Sequence, residues 1–311
     1  MKSPNLVLIT KKVGIMHNDT ILVKQKGKRG LANRLWQFSY FLAFAKEHNL
    51  FLINSSFYDF TDDFVGTKNN FFCSYPIFSC QAPKGWVNTL FLSIGFLRRV
   101  AKWLLRRFNY FNKYLLIKSV KNSNPLNLDI QNEYKRILQN KIIFIDGWHI
   151  RCNETLNIHK ATVTNFFRPV ESHKKKIRNL LKPLKHEFDL VIGIHMRRTD
   201  YKFVYPKLYF SFEQYAEFLN KIANYFEENK IAFLLCSDDE IEKKYFSRHP
   251  CFYSTDHAIE DMFALSKCNY IFGVSSTYSL WASFYGSVPI FLINNYDFTI
   301  KEHDFFICSG L

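Results

Sequence analysis

The stretch FDLVIGIHMRRTDY, residues 188–201, decides the fold because it joins a buried strand to a cluster of charged side chains. Its apolar run, Leu190–Ile194, is short and continuous, which is typical of a strand covered on both faces of a parallel sheet. Ligands of such sheets bind beyond the carboxyl ends of the strands. The stretch therefore predicts a binding site that involves four polar side chains: His195, Arg197, Arg198 and Asp200.

Strands and helices alternate after residue 188, which indicates a parallel sheet with helices on both faces. A helix predicted at 211–230 opens with a capping box of Ser211 and Gln214. Further helices are predicted at 258–268 and 277–286, and further strands at 231–236, 269–274 and 288–293. This order places three polar segments at one edge of the sheet: His195–Asp200, Ser237–Asp238 and Ser275–Thr277.

The first half of the chain begins with the pattern of a second β-α-β unit. Strands are predicted at 20–25 and 50–54, and the basic turn KGKRG and a helix from Leu31 lie between them. Another strand is predicted at 141–148, and the stretch 166–179 would join the two halves. The predicted fold is α/β, with two Rossmann-like halves at residues 1–168 and 169–311 and a basic aromatic insertion at about 96–118.

The composition indicates an anionic partner and a reducing compartment. The 311 residues carry a net charge of +15, which fits nucleic acid, anionic lipid or a phosphorylated small molecule. The 7 cysteines form neither a CxxC pair nor a cluster with zinc spacing, so we expect no structural metal and no disulfide framework. The first residues do not resemble a signal peptide, and no run of about 18 apolar residues occurs. We expect a cytoplasmic protein that can contact a membrane surface.

The arginine pair suggests a clamp for a diphosphate. Side chains alternate faces in an extended segment, so only one of Arg197 and Arg198 can face a ligand there. The other could pair with Asp200 or cap neighbouring carbonyl groups. A guanidinium group presents a rigid fork that matches two phosphate oxygens. The alternative is an ordinary surface ion pair, which contributes little.

Three further features support an anion site. Residues 274–281 run from a strand into a helix, so the hydroxyl groups of Ser276 and Thr277 lie at a helix N-terminus, either as caps or as anion ligands. The turn KGKRGLANR offers a second entry into a helix, with Asn33 or Arg34 reaching outward. Asp261 lies in the first turns of a helix. Its carboxylate could accept both N–H groups of guanine, or it could act as a helix N-terminal acid.

Four motifs resemble those of fucosyltransferases. HMRRTDY resembles the H-x-R-R-x-D motif shared by α-1,2- and α-1,6-fucosyltransferases and related enzymes. RGLANRLWQFSYFLAFAKEHNL, FLLCSDD and DMFALSKCNYIFGVSSTYSLWAS are similar to further motifs of the α-1,2 family, glycosyltransferase family 11. The four stretches occur in the family's order and span most of the chain. The chain is identified as a member of this family, within the wider α-1,2/α-1,6/protein O-fucosyltransferase group.

The resemblance implies a GT-B-like fold, in which two Rossmann-like halves with parallel sheets face a cleft. It implies inverting transfer of fucose from GDP-fucose to a hydroxyl of a glycan, in α-1,2 linkage to galactose, without a metal or another cofactor. Residues 1–168 would form the acceptor side and residues 169–311 would bind the GDP-sugar. The residues implied at the donor site are Arg197 at the β-phosphate with His195 beside it, Asp261 at the guanine, Ser276, Thr277 and Tyr278 around the phosphates, and Asn33 and Asp238 nearby.

The chain departs from the family pattern at a few positions on the donor side. Ala32 stands where the family usually has glycine, Arg34 stands where it has glutamine, and Val274-Ser275 replaces a residue followed by asparagine. These departures leave the identity of the sugar open. The general base is open as well, because Asp200 could take the acceptor proton or could pair with Arg198, and we favour the structural role.

Two alternatives to this enzyme are retained. The sequence SDDE at 237–240 is similar to a metal-binding motif of the GT-A type, which would make the transferase metal-dependent. The stretch 96–118 is basic and aromatic and contains no acid. It could be a core helix with snorkelling arginines or a helix on an anionic membrane, where a lipid-linked or polysaccharide acceptor would be met. The second alternative is a basic nucleic-acid-binding protein, in which this stretch would bind RNA. Among the three interpretations of the stretch this one ranks third, and we expect no nucleic-acid partner.

Overall fold

The computed structural model describes residues 21–24, 30–70, 72–78, 86–108, 114–121, 123–255 and 257–311. Contacts along the chain divide it into two α/β units. The N-terminal unit extends to Arg168 and the C-terminal unit from Pro169, and Leu31–Asn33 belong to the C-terminal unit. No helix among the described residues has the length and apolar composition that are needed to cross a membrane.

The N-terminal unit contains a mainly parallel sheet. Its strands are β1 (Ile21–Lys24), β2 (Phe51–Asn54), β3 (Ser74–Tyr75), β4 (Leu115–Ser119), β5 (Leu126–Asn127), β6 (Ile142–Asp146) and β7 (Ile150–Arg151). Its helices are α1 (Leu31–Glu47), α2 (Trp86–Arg107), α3 (Gln131–Leu138), α4 (Asn153–Ile158) and α5 (Lys160–Phe166). The strand order is β3-β2-β1-β6-β4, and β3 alone among these pairs in the antiparallel direction. Strands β5 and β7 form a separate parallel pair.

Helix α1 forms much of the core of the N-terminal unit. Trp36, Phe38, Tyr40 and Phe41 are fully buried although they point in different directions around the helix. A helix that is apolar on all sides is stable only when it is enclosed. The predicted order of strand, helix and strand is confirmed for β1, α1 and β2. Residues 25–29, which contain most of the predicted basic turn, lie outside the described residues.

The interpretation of 96–118 as a single basic insertion is wrong. Helix α2 ends at Arg107, and Leu115–Ser119 form an edge strand of the sheet. Leu115 pairs with Ile142 in a parallel register, so this part of the stretch belongs to the framework of the unit. Periodicity alone does not separate the helix from the strand, because apolar and aromatic residues with interspersed cations continue from one element into the other. Residues 109–113 lie outside the described residues.

The C-terminal unit is a parallel sheet between helices. Its strands are β8 (Leu190–Met196), β9 (Ile231–Ser237), β10 (Cys251–Tyr253), β11 (Tyr270–Gly273) and β12 (Ile290–Leu292). Its helices are α6 (Glu171–Glu187), α7 (Tyr201–Val204), α8 (Phe212–Tyr225), α9 (Ala258–Leu265) and α10 (Thr277–Gly286). All neighbouring strands in the order β10-β9-β8-β11-β12 are parallel. The predicted alternation and the Ser211–Gln214 capping box are confirmed.

Candidate functional site

The candidate site lies at the carboxyl edge of the C-terminal sheet, where β8 ends between β9 and β11. His195 is in register with Cys236 on one side and with Gly273 on the other. A side chain at Gly273 would place a Cβ atom 2.9 Å from the carbonyl oxygen of His195. Glycine therefore permits the close approach of the two backbones at this edge. The segments that follow the three strands begin near one another, as the sequence predicts.

Arg197 is held in place by two carboxylates and one ring. Its guanidinium group forms a salt bridge with Asp200, and its Nη1 atom lies 2.8 Å from Oδ2 of Asp238. The group also lies 5.2 Å from the centre of the Tyr201 ring. The phenol of Tyr201 donates a hydrogen bond of 2.7 Å to the carbonyl of Ser275, so the same ring ties Arg197 to the segment after β11. The Nε atom of Arg197 is buried without a hydrogen-bond partner.

Asp238 organises the loop that carries the arginines. Its carboxylate accepts hydrogen bonds from the backbone N–H of Arg198 at 2.7 Å and from the hydroxyl of Thr199 at 2.6 Å. Burial alone would raise the pKa of Asp238, but these hydrogen bonds and the charge of Arg197 outweigh it and lower the pKa. The side chain is therefore ionised at neutral pH. It fixes the backbone after β8 and one edge of the Arg197 fork.

Arg198 faces a different set of partners from Arg197. Its guanidinium group donates to the carbonyl of Phe210 at 2.9 Å and lies 3.7 Å from the centre of the Phe212 ring. Its Nε atom approaches Asp239 at 3.3 Å. The predicted alternation of the two arginines is thus observed. Of the two alternatives predicted for the second arginine, the structure shows the carbonyl cap, at Phe210, and the pairing of Arg198 with Asp200 is wrong, because the turn into α7 brings Asp200 to Arg197.

His195 and Tyr278 form a stacked pair behind the arginine. Their ring centroids are 4.7 Å apart at an interplanar angle of 24°. Burial, with the positive charge of Arg197, lowers the pKa of His195 to about 3. Burial raises the pKa of Tyr278 well above its ordinary value. Both rings are therefore neutral at neutral pH. Among the described residues, the buried Nδ1 atom of His195 has no hydrogen-bond partner.

The N-terminus of α10 follows β11 at the same edge. Ser276 caps the helix, and its hydroxyl accepts a hydrogen bond of 3.3 Å from the backbone N–H of Tyr278. The hydroxyl of Thr277 donates to Oδ1 of Asn33 at 2.9 Å. Asn33 is one of the three residues at the start of α1 that belong to the C-terminal unit. The structure thus connects four of the residues that the sequence singles out, in two pairs: Ser276 with Tyr278 and Thr277 with Asn33.

Asp261 is buried in α9 and fastens the segment that precedes this helix. Its Oδ1 atom accepts hydrogen bonds from the backbone N–H of Thr255 at 3.0 Å and from the Thr255 hydroxyl at 3.2 Å. The helix cap is His257, whose side chain accepts from Ile259, so Asp261 does not act as the cap. The negative charge of Asp261 contributes to the raised pKa of Tyr278, which places the carboxylate near the stacked pair.

A second cluster, which the sequence analysis does not single out, joins α6 to α9. The buried carboxylate of Glu260 lies 2.8 Å from both Nδ1 of His173 and Nζ of Lys176. His173, His257 and Glu260 each offer one possible metal-ligand atom, and these three atoms lie within 4.8 Å of one another. However, Lys176 already supplies positive charge to Glu260, and His257 already accepts the N–H of Ile259. The contacts indicate a structural link between α6 and α9. His173 and Glu260 are 87 positions apart in the chain, so local sequence patterns do not reveal this link.

The Glu260→Gln variant is expected to lower the free energy of unfolding at neutral pH by roughly 2–3 kcal/mol. Burial alone would raise the pKa of Glu260 above its ordinary value of 4.5, but the hydrogen bonds from Lys176 and His173 and the charge of Lys176 lower it to about 2. Because the folded-state pKa is the lower one, the stabilisation is complete above about pH 5 and is lost as the pH falls towards about 2. Urea unfolding of both proteins between pH 7 and pH 4 measures the difference.

The matched control for this prediction is Glu171→Gln. Glu171 lies on α6 and forms salt bridges with Lys174 and Arg178, but it is largely exposed. Exposed ion pairs contribute about 1 kcal/mol or less, so we expect little change in this variant. A Glu260→Gln effect that equals the control, or that does not shrink in acid, would contradict the proposed link.

Comparison with known proteins identifies the family. Residues 134–305, more than half of the chain, match the family described as Glycosyl transferase family 11. No curated protein in the sequence comparison matches the chain. The chain therefore has a family match without a close curated relative.

Solved structures of fucosyltransferases share the fold. A mutant of Arabidopsis thaliana FUT1 in complex with GDP is 12% identical, with a TM-score of 0.57 over 93% of this chain and 74% of that chain. The α-1,6-fucosyltransferase NodZ soaked with GDP-fucose is 15% identical, with a TM-score of 0.53 over 88% and 95%. POFUT1 in complex with GDP-fucose is 8% identical, with a TM-score of 0.55 over 87% and 95%. These likenesses show the expected GT-B-type α/β fold, and the family match shows that the chain belongs to glycosyl transferase family 11.

Proposed function

We propose that the chain transfers fucose from GDP-fucose to a hydroxyl group of a glycan acceptor, with inversion at the anomeric carbon and α-1,2 linkage to galactose. Membership of glycosyl transferase family 11 supports fucosyl transfer. Solved structures of the same fold contain GDP or GDP-fucose. In this proposal residues 169–311 bind the donor, and residues 1–168 bind the acceptor.

The observation that carries the proposal is the position of Arg197 beside the N-terminus of α10. Tyr201 contacts Arg197 with its ring and Ser275 with its hydroxyl, so the cation and the helix entry share one edge of the sheet. A helix N-terminus offers unpaired N–H groups and a positive dipole to an anion. The buried Nε of Arg197 and Nδ1 of His195 have no hydrogen-bond partner among the residues that the structure describes, which is expected of groups that bind a polar ligand.

This arrangement suits the departure of a diphosphate. When the bond between the anomeric carbon and the phosphate oxygen breaks, its electron pair stays on GDP and positive charge develops on the sugar. Arg197 and the N–H groups at Ser276–Tyr278 would neutralise the growing negative charge. The acceptor hydroxyl attacks from the opposite face, which inverts the anomeric centre, and its proton passes to solvent water as the new bond forms. His195 is neutral, so its role there is to pack and orient.

Asp200 and Asp261 receive different roles in the proposal. Asp200 binds Arg197 directly, and we assign it to positioning that cation. Asp261 would accept the N1–H and N2–H groups of guanine, a pairing that adenine cannot offer. Asn33 would hold the Thr277 hydroxyl at the entry of α10.

The proposed transfer does not use a metal ion. A metal site of the SDD type needs free carboxylate oxygens. In this structure Asp238 binds Arg197, Arg198 and Thr199, and Asp239 binds Arg198 and the N–H of Glu240. These interactions supply the charge balance that a divalent ion would otherwise provide, and they favour the metal-free reaction over the GT-A alternative.

A panel of nucleotides tests the donor. We expect GDP and GDP-fucose to raise the melting temperature, and UDP, ADP and their sugars to leave it unchanged, with or without magnesium. Transfer of labelled fucose to a galactose-terminated acceptor should continue in EDTA. Stabilisation by UDP-sugars that requires magnesium would overturn the proposal in favour of the GT-A alternative.

A further inference from the structure

The positive charge of the chain is concentrated in one region. Residues 64–128 contain ten lysines and arginines and no aspartate or glutamate. This region, about a fifth of the chain, therefore carries +10 of the net charge of +15. The proposed donor site lies elsewhere, in residues 169–311 and the start of α1. The charge of residues 64–128 is thus not part of the proposed donor site.

Helix α2, which lies in this region, presents an aromatic face to solvent. Phe96 and Trp103 are each 59% exposed. Seven residues separate them, so they lie within about 20° of each other around the helix and about 10 Å apart along it. Phe108, just beyond the helix, is 47% exposed and contacts the Trp103 ring at a centroid distance of 6.1 Å. Three large rings thus form one exposed patch.

The opposite face of α2 holds the helix to its unit. Ala101 is buried in a cluster with Leu115 and Phe144, and the partly buried Leu105 packs against it. Ala101 and Trp103 are about 160° apart around the helix, so the aromatic patch points away from the sheet. Packing among the described side chains of the unit therefore accounts for only one face of the C-terminal half of α2. The predicted packing of an apolar face against the core is observed at Ala101 and Leu105, and it leaves the aromatic face exposed.

Exposed cations flank the aromatic patch. Arg99 and Arg107 lie one turn before and one turn after Trp103, and Arg106 and Lys102 lie beside it. Helix α2 contains no acidic residue. A second copy of the chain on this face would bring like charges together, which argues against self-association through it. An occupant of this face must be anionic and must also accept exposed aromatic rings.

We propose that α2 binds the chain to the surface of an anionic lipid membrane. Phe96, Trp103 and Phe108 would enter the interface, where aromatic rings are favoured, and the arginines would contact lipid phosphates. Helices with aromatic residues on one face and flanking cations lie in the membrane plane in this way. Attachment would hold the transferase where lipid-linked acceptors are found. It does not require a bound donor.

Sedimentation with vesicles tests the proposal on the full chain. We expect binding to phosphatidylcholine vesicles that contain about 30% phosphatidylglycerol, weak binding to pure phosphatidylcholine, and loss of binding in high salt. The triple variant Arg99→Gln, Arg106→Gln, Arg107→Gln should bind about a hundredfold more weakly. The double variant Phe96→Ser, Trp103→Ser should lose about tenfold or more.

The matched control removes three exposed lysines from α6, with Lys175→Gln, Lys182→Gln and Lys185→Gln. It lowers the net charge equally and should keep vesicle binding. Melting temperatures show whether each variant is folded. Equal binding to neutral and anionic vesicles, or equal loss in the control, would overturn the proposal. Tighter binding of single-stranded RNA than of vesicles, lost in the arginine variant, would overturn it in favour of a nucleic-acid site.

Discussion

The Arg197→Ala variant should fold normally and transfer fucose about 10²–10³-fold more slowly than the unchanged protein. The guanidinium group is the cation that we place against the departing diphosphate, and a preorganised group of this kind acts on the transition state. Its salt bridges with Asp200 and Asp238 are partly exposed, so their loss should cost little stability. Initial rates with varied GDP-fucose measure kcat/KM, and thermal unfolding checks the fold.

Two further variants define the effect of Arg197. Arg197→Lys keeps the charge but lacks the planar fork, so it should recover only part of the activity. Arg178→Ala removes an exposed arginine of α6 that pairs with Glu171 and should leave kcat/KM unchanged. Activity of Arg197→Ala close to that of Arg178→Ala would remove Arg197 from the reaction and would contradict the proposed clamp.

The C-terminal sheet illustrates how much of the fold can be predicted from local sequence. Helix α10 has the bounds that the apolar spacing predicts, and β9 extends the predicted strand by one residue. The strands of this sheet are short and apolar, and all but β10 are separated from the preceding strand by a recognisable helix. Strand β10 follows a 3-10 helix of 4 residues, and the sequence analysis does not predict it. The alternation itself is the signal for a parallel sheet, and the edge at which its polar segments meet follows from the strand direction.

Strand β4 shows where this type of prediction fails. Leu115–Ser119 follow a basic helix, and nothing in their local pattern distinguishes them from its continuation. They form a strand because β6 pairs with them, and β6 begins more than twenty residues later. The free energy that selects the strand comes from this pairing. Tertiary contacts of this kind override local propensity.

The placement of the candidate residues at one edge of the sheet can be predicted from the sequence. The pairings among their side chains cannot. Alternation in an extended chain correctly predicts that Arg197 and Arg198 face different partners. It does not predict that Asp200 turns back to Arg197, because the direction of a side chain beyond a strand depends on the turn that follows. Asp238 is recognisable in the motif SDD, but its hydrogen bonds to Arg198 and Thr199 depend on the neighbouring strand ends.

Burial and hydrogen bonding distinguish Asp238 from its neighbour Asp239. Asp238 is partly buried and accepts from the backbone of the loop. Asp239 is exposed, and among the described residues its carboxylate contacts Arg198 at 3.3 Å and the N–H of Glu240. The first carboxylate therefore shapes the segment that carries Arg197. The second adds a surface contact. The two aspartates of the SDD motif resemble a pair of metal ligands, but their contacts differ and we expect them to have different roles.

The Asp238→Ala variant is expected to lose about 2–4 kcal/mol of stability, because the backbone N–H of Arg198 and the Thr199 hydroxyl lose their acceptor. It should also lose about 10²–10³-fold in kcat/KM, since Arg197 then keeps only one of its two carboxylate partners, Asp200. Asp239→Ala is the matched control and should change both quantities little. Urea unfolding and initial rates, with and without EDTA, measure the two effects. Equal losses of activity in both variants, together with inactivation by EDTA, would show that the two aspartates bind a metal and would contradict the metal-free mechanism.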